Sequence, residues 1–238
     1  MIPGLSIKSV MYSAEIIAQN YQQFNDEYTV YVLDTREDVP ENYSIRQMSE
    51  EIVELINHLS LKDIYLFGAS MGGMVSMHMS IDHPELIRKL LIGSSSSCVK
   101  CDAGNNVERW VELAKDNRIE ELCLCFGENI YPQEVYEQYK GALSEMAKSV
   151  NEKEVEKFIR LSNAVKDFDV RDTLKNIDCP VLAIGSKDDK VFGPDASVKI
   201  VEYINKQTAQ VYMYDNYGHA AYDVAPDYKQ RIYEFFNE

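Results

Sequence analysis

Residues 66–76, LFGASMGGMVS, place one serine between two glycines where an apolar run changes into a helical pattern. The run that ends at Gly68 has the character of a buried strand, and the residues after Ser70 predict a helix that stops before Pro84. A serine in such a turn projects its hydroxyl away from the sheet, and small neighbours relieve the crowding. The N–H groups that open the helix favour an oxyanion. A glycine-rich turn without a catalytic serine would show the same pattern, so the remaining residues of the chain have to distinguish these two interpretations.

Strand-like runs alternate with helical patterns along most of the chain. Apolar and β-branched runs predict strands at 28–34, 63–68, 87–93, 180–185 and 209–215. Apolar spacing predicts helices that begin near Ser44, Gly72, Asp195 and Pro226. This alternation predicts an α/β fold with a mostly parallel, doubly wound sheet flanked by helices.

A long helical segment interrupts the alternation. Residues 106–168 contain several helical patterns in succession and no strand pattern. An insertion of this kind between two strands would lie over one end of the sheet as a lid. We therefore expect a core formed by residues 1–97 and 171–238, and a helical cap formed by residues 98–170.

Composition narrows the partners and the compartment. The formal net charge is −15, whereas a nucleic-acid-binding protein needs a basic face. The sequence has neither an apolar run long enough to span a bilayer nor a signal-peptide pattern. We expect a cytoplasmic protein that binds a small molecule and neither nucleic acid nor membrane.

The five cysteines include a C-x-x-C pair, Cys98 and Cys101. Because no second pair and no suitably spaced histidines accompany it, a zinc site is not expected. Reduced thiols are the expectation in the cytoplasm, and a redox role for the pair is the alternative.

A serine hydroxyl needs a base, and four histidines are available. His58, His78 and His83 fall on predicted helices or at their ends. His219 falls in the loop after the last predicted strand, which in a parallel sheet opens on the same edge as Ser70. A carboxylate that orients the imidazole should follow another strand at that edge, and both Asp188 and Asp189 do so. The chain order of serine, aspartate and histidine then matches the order typical of such sheets.

These stretches resemble the α/β-hydrolase superfamily over nearly the whole chain. GASMGGMVSMHMSIDHPELIRKLLIGSS (68–95) resembles the family's nucleophile turn with its helix and next strand. CPVLAIGSKDDKVFGP (179–194) resembles the acid-bearing strand, and YGHAAYDVAPDYKQRIYEFF (217–236) the histidine loop and last helix. The resemblance implies a lid in the helical segment, cleavage of a carboxylic ester or related acyl bond, and neither a metal nor another cofactor.

The resemblance also implies roles for single residues. An ungapped count along the strand places the acid on Asp189, with Val191 at the apolar position beyond it, whereas a count from Gly185 favours Asp188. Because the ungapped count agrees on both sides, we predict Asp189 as the acid of a triad with Ser70 and His219. The backbone N–H groups of Met71 and Leu5 would form the oxyanion hole. Pro3 and Gly4 stand where the family carries its oxyanion motif, so we expect the N-terminal strands that usually precede this motif to be missing. The open edge would then allow pairing with a partner such as a second copy, and a homodimer is one alternative.

We predict the first of three functions and keep the other two as alternatives. The first is a carboxylesterase-like serine hydrolase that acts through an acyl-enzyme on Ser70. The second is a C–C bond or lactone hydrolase with the same triad, since a triad does not specify the substrate. The third is a binding protein that keeps the fold without catalysis. Four aromatic residues of the helical segment could shape an acyl pocket or simply belong to its core: Trp110, Tyr131, Tyr136 and Phe158.

Overall fold

A four-stranded, fully parallel sheet organises the computed structural model, which describes residues 1–238. Its strands are β1 (Ile64–Ala69), β2 (Ile87–Gly93), β3 (Val181–Ser186) and β4 (Ala209–Tyr214), and they are neighbours in that order. These ranges confirm four of the five predicted strands.

Eleven α-helices accompany the sheet. They are α1 (Ala14–Asn20), α2 (Ile45–His58), α3 (Met71–Asp82), α4 (Val99–Asp102), α5 (Asn106–Lys115), α6 (Ile119–Ile130), α7 (Gln133–Ala147), α8 (Glu152–Lys166), α9 (Ala196–Ile204), α10 (Ala221–Val224) and α11 (Tyr228–Asn237). The helices predicted from apolar spacing are confirmed. Ser44 caps α2 as expected: its hydroxyl accepts the N–H of Gln47, whose side chain accepts the N–H of Ser44 in return. None of the helices combines the length and the apolar character that crossing a membrane requires.

The strand predicted at residues 28–34 is wrong. The segment is irregular, and its contacts to the N-terminus are a hydrogen bond from the Leu33 N–H to the Met1 carbonyl (3.0 Å) and one from the Met1 ammonium to the Tyr31 carbonyl (2.7 Å). Ile2 alone pairs with the outer edge of β1, at Gly68. A segment forms a β-strand only where it can pair continuously with a neighbouring strand. An apolar run without such a neighbour remains a loop.

β1, β2 and β3 are largely buried on both faces, as their continuous apolar character predicts, whereas β4 at the edge of the sheet is half-exposed. Leu66, Leu90 and Val181 belong to a large core shared with α2, α3 and α9. Phe67 and Leu91 point to the opposite face and pack in a smaller cluster with α11. The sheet is therefore rigid, and the loops at the carboxyl ends of its strands are held in place.

The helices α5 to α8 lie between β2 and β3 in the chain, where the helical segment is predicted. The two ends of this segment are joined next to the sheet by an antiparallel bridge between Cys98 and Asp169. Cys98 and Cys101 also form a disulfide across the single turn of α4, so the expectation of reduced thiols is wrong for this pair. The helical turn places the two cysteines on the same side, with their Cα atoms 5.4 Å apart.

Candidate active site

Ser70 lies in a strained turn between β1 and α3. Its backbone has φ 52° and ψ −116°, a conformation that costs energy and persists only where the surroundings hold it. The Ser70 N–H donates to the Gly93 carbonyl of β2 (2.7 Å), and the Ser70 carbonyl accepts the hydroxyl of Ser95 (2.8 Å). Hydrogen bonds to both the N–H and the carbonyl of Ser70 therefore hold the turn, and their partners lie at the end of β2 and directly after it. Sequence reasoning did not identify Ser95, because a run of four serines after a strand carries no specific pattern.

The two glycines that flank Ser70 allow the close packing of this turn. A Cβ atom on Gly68 would collide with the backbone of Gly72, and one on Gly72 would collide with the carbonyl of Ile2. α3 can approach β1 only because Gly68 has no side chain, and the N-terminal segment can approach α3 only because Gly72 has none. The glycine spacing quoted from the sequence thus has a steric cause.

His219 lies within hydrogen-bond distance of both Ser70 and Asp189. Its Nε2 is 2.9 Å from the Ser70 Oγ, and its Nδ1 is 2.8 Å from Oδ2 of Asp189. The carboxylate can only accept, so Nδ1 carries the proton and Nε2 accepts the hydroxyl of the serine. All three residues are buried, with His219 only 2% exposed. Burial keeps water from competing for these hydrogen bonds.

The other histidines lie elsewhere. His58 is the exposed last residue of α2, and His83 follows α3 and pairs with Glu50. His78 packs edge-on against Phe168 at 5.6 Å. Burial lowers the pKa of His78, although the nearby Asp82 carboxylate opposes that shift.

The two adjacent aspartates have different partners. Asp189 accepts the N–H groups of Val191 (2.7 Å) and Phe192 (3.1 Å) on Oδ1, which leaves Oδ2 for His219. Asp188 instead accepts the Gly218 N–H, 3.1 Å from both carboxylate oxygens. Its Oδ1 also accepts the hydroxyl of Ser186 at 2.5 Å. The structure therefore brings Asp189 to the imidazole, whereas Asp188 anchors the backbone next to it.

Two residues of the cavity next to Ser70 have backbone N–H groups without a protein acceptor. Met71 is the first residue of α3, so its N–H has no partner within the helix. The N–H of Leu5 makes no hydrogen bond to the protein. Both residues line the cavity above Ser70. These are the two donors expected for an oxyanion hole.

A small cavity of about 30 Å³ lies above Ser70 and His219. The core contributes Leu5, Met71, Val191, Phe192 and Tyr222 to its wall, and the helical segment contributes Val107, Trp110, Phe126, Ile130 and Val165. Of the four aromatic candidates in that segment, Trp110 alone lines the cavity, while Phe158 packs behind Phe126 with ring centroids 6.0 Å apart. The space is enough for about two water molecules.

Tyr222 adds a polar group that the sequence pattern did not indicate. Its ring lies edge-on to His219 at 6.3 Å, and its hydroxyl is directed toward Gly4, 3.7 Å from where a Cβ on that glycine would lie. Burial raises the pKa of Tyr222 well above its usual value, so the hydroxyl is neutral and remains a donor. It makes no hydrogen bond to another protein group.

A second, polar depression of about 200 Å³ borders the same turn, and we refer to it as the polar groove. Gly4 and Met71 form its inner end, next to Ser70. Its walls come from residues 6–12, residues 34–37 and the first turns of α8. The groove and the apolar cavity therefore meet at Met71.

Parallel strands that carry a nucleophile turn, an acid and a histidine at their carboxyl ends define the class of α/β hydrolases by fold. Within this class, the sequence pattern of the Ndr family matches residues 34–237, and the chain belongs to that family.

The chain is similar in sequence to curated hydrolases and in fold to solved hydrolase structures. A putative carbamate hydrolase RutD of Serratia proteamaculans is 24% identical over 153 residues, an alignment that covers 63% of this chain and 57% of that relative. The chain therefore spans little more than half the length of that curated relative. MGS-M2, an alpha/beta hydrolase enzyme from a Medee basin deep-sea metagenome library, superposes with a TM-score of 0.84 at 21% sequence identity. The superposition covers 100% of this chain and 88% of the MGS-M2 chain. The enol-lactonase from Burkholderia xenovorans LB400 has a TM-score of 0.80 at 18% identity, with 100% and 90% covered.

Proposed function

We propose that the chain is a serine hydrolase that cleaves the carboxylic ester of a small molecule through an acyl-enzyme on Ser70. The observation that carries the proposal is the continuous hydrogen-bonded chain from Ser70 through His219 to Asp189. Two free N–H groups next to the serine supply the second requirement of acyl transfer, since they can bind the negative charge of a tetrahedral intermediate.

In the first half-reaction the Ser70 Oγ attacks the ester carbonyl carbon while its proton passes to Nε2 of His219. Asp189 stabilises the imidazolium that forms. The carbonyl oxygen becomes an oxyanion held by the N–H groups of Met71 and Leu5. When the carbon–oxygen bond to the alcohol breaks, the imidazolium returns its proton to the alcohol oxygen.

In the second half-reaction a water molecule replaces the alcohol. His219 takes a proton from this water as the water oxygen attacks the acyl carbon, and the same oxyanion donors act again. The bond to the Ser70 Oγ breaks, the imidazolium returns the proton to that oxygen, and the carboxylic acid leaves. The free enzyme is restored without an external reductant, oxidant or cofactor.

The helical segment 98–170 acts as a lid in this proposal. Five of its side chains close the cavity above Ser70, and the Ile130 carbonyl accepts the Ala220 N–H at 2.8 Å, directly after His219. A closed lid excludes bulk water and strengthens the electrostatic interactions around the oxyanion.

Lactones, carbamates and C–C bonds are the competing substrates for the same triad. The names of the relatives, a putative carbamate hydrolase and an enol-lactonase, support including these substrates in the same panel as esters. A carbamate or lactone that reacts faster than every ester would replace the ester in the proposal and leave the mechanism unchanged.

Covalent labelling by a fluorophosphonate probe tests the proposal, with Ser70→Ala as the matched variant and Ser60→Ala, an exposed serine after α2, as a control away from the site. We expect labelling of the wild type and of Ser60→Ala, and none of Ser70→Ala. Equal labelling of Ser70→Ala would refute the nucleophile. Absence of labelling and of turnover with every substrate would favour a binding protein instead.

A further inference from the structure

The cavity above Ser70 is small and apolar. Apart from Ser70 and His219, its lining residues are hydrophobic, and its volume of about 30 Å³ holds about two water-sized groups. An acyl chain of two or three carbons fills such a space. A charged acyl group would lose its hydration without finding a partner, which is costly.

The outer wall of this cavity is firmly supported. Trp110 is held by a hydrogen bond from its Nε1 to the Asn129 side chain at 3.0 Å, and its ring lies 4.7 Å from that of Phe126. Phe126 rests in turn on the fully buried Phe158. Because packed aromatic side chains yield little, a longer acyl chain meets a wall and not a flexible surface.

The rest of the substrate has to lie outside this cavity, and the polar groove is the space next to it. Met71 lines both, and α8 contributes to both, with Leu161 in the groove and Val165 one turn further in the cavity. The groove is about 200 Å³, several times the volume of the cavity. The larger part of an ester bound at Ser70 therefore lies among polar groups.

The charges along the polar groove cancel. It carries three lysines and three carboxylates: Lys8, Lys153, Lys157, Asp34, Glu37 and Glu154. Lys8 lies 3.8 Å from Glu154, Lys157 donates to a backbone carbonyl, and Asp34 accepts the Ser9 hydroxyl. Lys153 and Glu37 make no hydrogen bond or ion pair and are free to bind a ligand. One free hydrogen-bond donor and one free acceptor suit a ligand with hydroxyl groups better than a ligand with a net charge.

From these observations we infer the substrate class: a short-chain acyl ester, acetyl or propionyl, of a polar and uncharged alcohol that carries further hydroxyl groups. The inference rests on the proposed function. The acyl group occupies the apolar cavity, and the alcohol occupies the polar groove, where Lys153 and Glu37 bind its hydroxyls. Phe126 limits the length of the acyl chain.

The acyl side is tested with p-nitrophenyl acetate, butyrate and octanoate. We expect kcat/KM to fall at least about tenfold from acetate to butyrate, because each added methylene has to displace a packed wall. Phe126→Ala should narrow this ratio to about threefold or less, since it lengthens the cavity. Val165→Ala is a second, smaller enlargement in case Phe126→Ala fails to fold. Tyr139→Ala, an exposed aromatic change on α7, should leave the ratio unchanged.

The alcohol side is tested with glyceryl monoacetate and hexyl acetate, which share the acyl group. We expect kcat/KM to favour glyceryl monoacetate at least about tenfold, and the double variant Lys153→Met, Glu37→Met to remove most of that preference. Lys115→Met at the exposed end of α5 is the charge control and should not change it.

The outcomes separate this inference from the proposed function. Rates that rise toward octanoate, or a preference for hexyl acetate, together with intact fluorophosphonate labelling would overturn the substrate class and leave the hydrolase standing. No turnover of any ester and no labelling would overturn the proposed function and the substrate class with it. A steep loss from acetate to butyrate that Phe126→Ala relieves would support both.

Discussion

Asp188 and Asp189 are adjacent carboxylates with different partners, and replacing each by asparagine separates their roles. In Asp189→Asn the amide oxygen can still accept the N–H groups of Val191 and Phe192, which leaves the amide NH2 facing the Nδ1 of His219. The ring then has to accept on Nδ1 and carry its proton on Nε2. In that tautomer Nε2 cannot take the proton of Ser70.

The expected loss in kcat for Asp189→Asn is therefore large, about 10⁴-fold, the size seen when a triad histidine is held in the wrong tautomer. The melting temperature should change little, because the number of hydrogen bonds is preserved. Asp188→Asn should behave differently. It weakens the charge-assisted bonds to Gly218 and Ser186, so the loop loosens and kcat/KM falls about tenfold, with a loss of about 1.5–3 kcal/mol at most in stability.

The assay is initial-rate hydrolysis of p-nitrophenyl acetate, combined with the rate of fluorophosphonate labelling and with thermal unfolding of both variants. Labelling should slow in parallel with turnover for Asp189→Asn, since both reactions need the same activated hydroxyl. If Asp188→Asn cost as much activity as Asp189→Asn while its melting temperature stayed at the wild-type value, the assignment of Asp189 as the orienting acid would be refuted.

Three further predictions concern side chains around the site and the core. Ser95→Ala removes the hydroxyl that binds the Ser70 carbonyl, so kcat should fall about fivefold with little change in KM, measured by steady-state kinetics. Tyr222→Phe should lower kcat/KM by about three- to tenfold but leave the melting temperature unchanged, because we expect its hydroxyl, which bonds to no protein group, to donate to the bound substrate. His78→Gln should reduce the loss of stability between pH 7 and pH 5 relative to wild type, with the exposed His58→Gln as control: burial lowers the folded-state pKa of His78, so the unfolded chain binds the proton first and acid favours unfolding.

The spatial arrangement of the candidate site was largely predictable because it depends on topology. The carboxyl ends of parallel strands meet at one edge of a sheet, so a serine after β1, aspartates after β3 and a histidine after β4 had to converge there. The choice between Asp188 and Asp189 depended on one residue of register in a turn. Strand patterns do not determine that register, and a count along the chain therefore left two answers open.

Other features depend on partners that are distant in the sequence. Residues 28–34 have strand composition but lack a continuous neighbouring strand, which no local pattern reveals. The disulfide between Cys98 and Cys101 follows from a helical turn that only the structure locates. The Ser95 hydroxyl binds the backbone carbonyl of Ser70. Every residue has such a carbonyl, so this contact leaves no recognisable sequence pattern.

The substrate preference was the least predictable feature, because it depends on which faces of the inserted helices point inward. Trp110 and Tyr136 are both buried aromatic residues at helical spacing. Trp110 reaches the cavity, whereas Tyr136 packs against Gly127 between α6 and α7. Their difference arises from how four helices pack, and periodicity within each helix contains no information about that packing. Substitutions of the cavity-lining residues in this segment should therefore change acyl-chain preference without affecting labelling of Ser70, whereas substitutions at the strand ends should change both together.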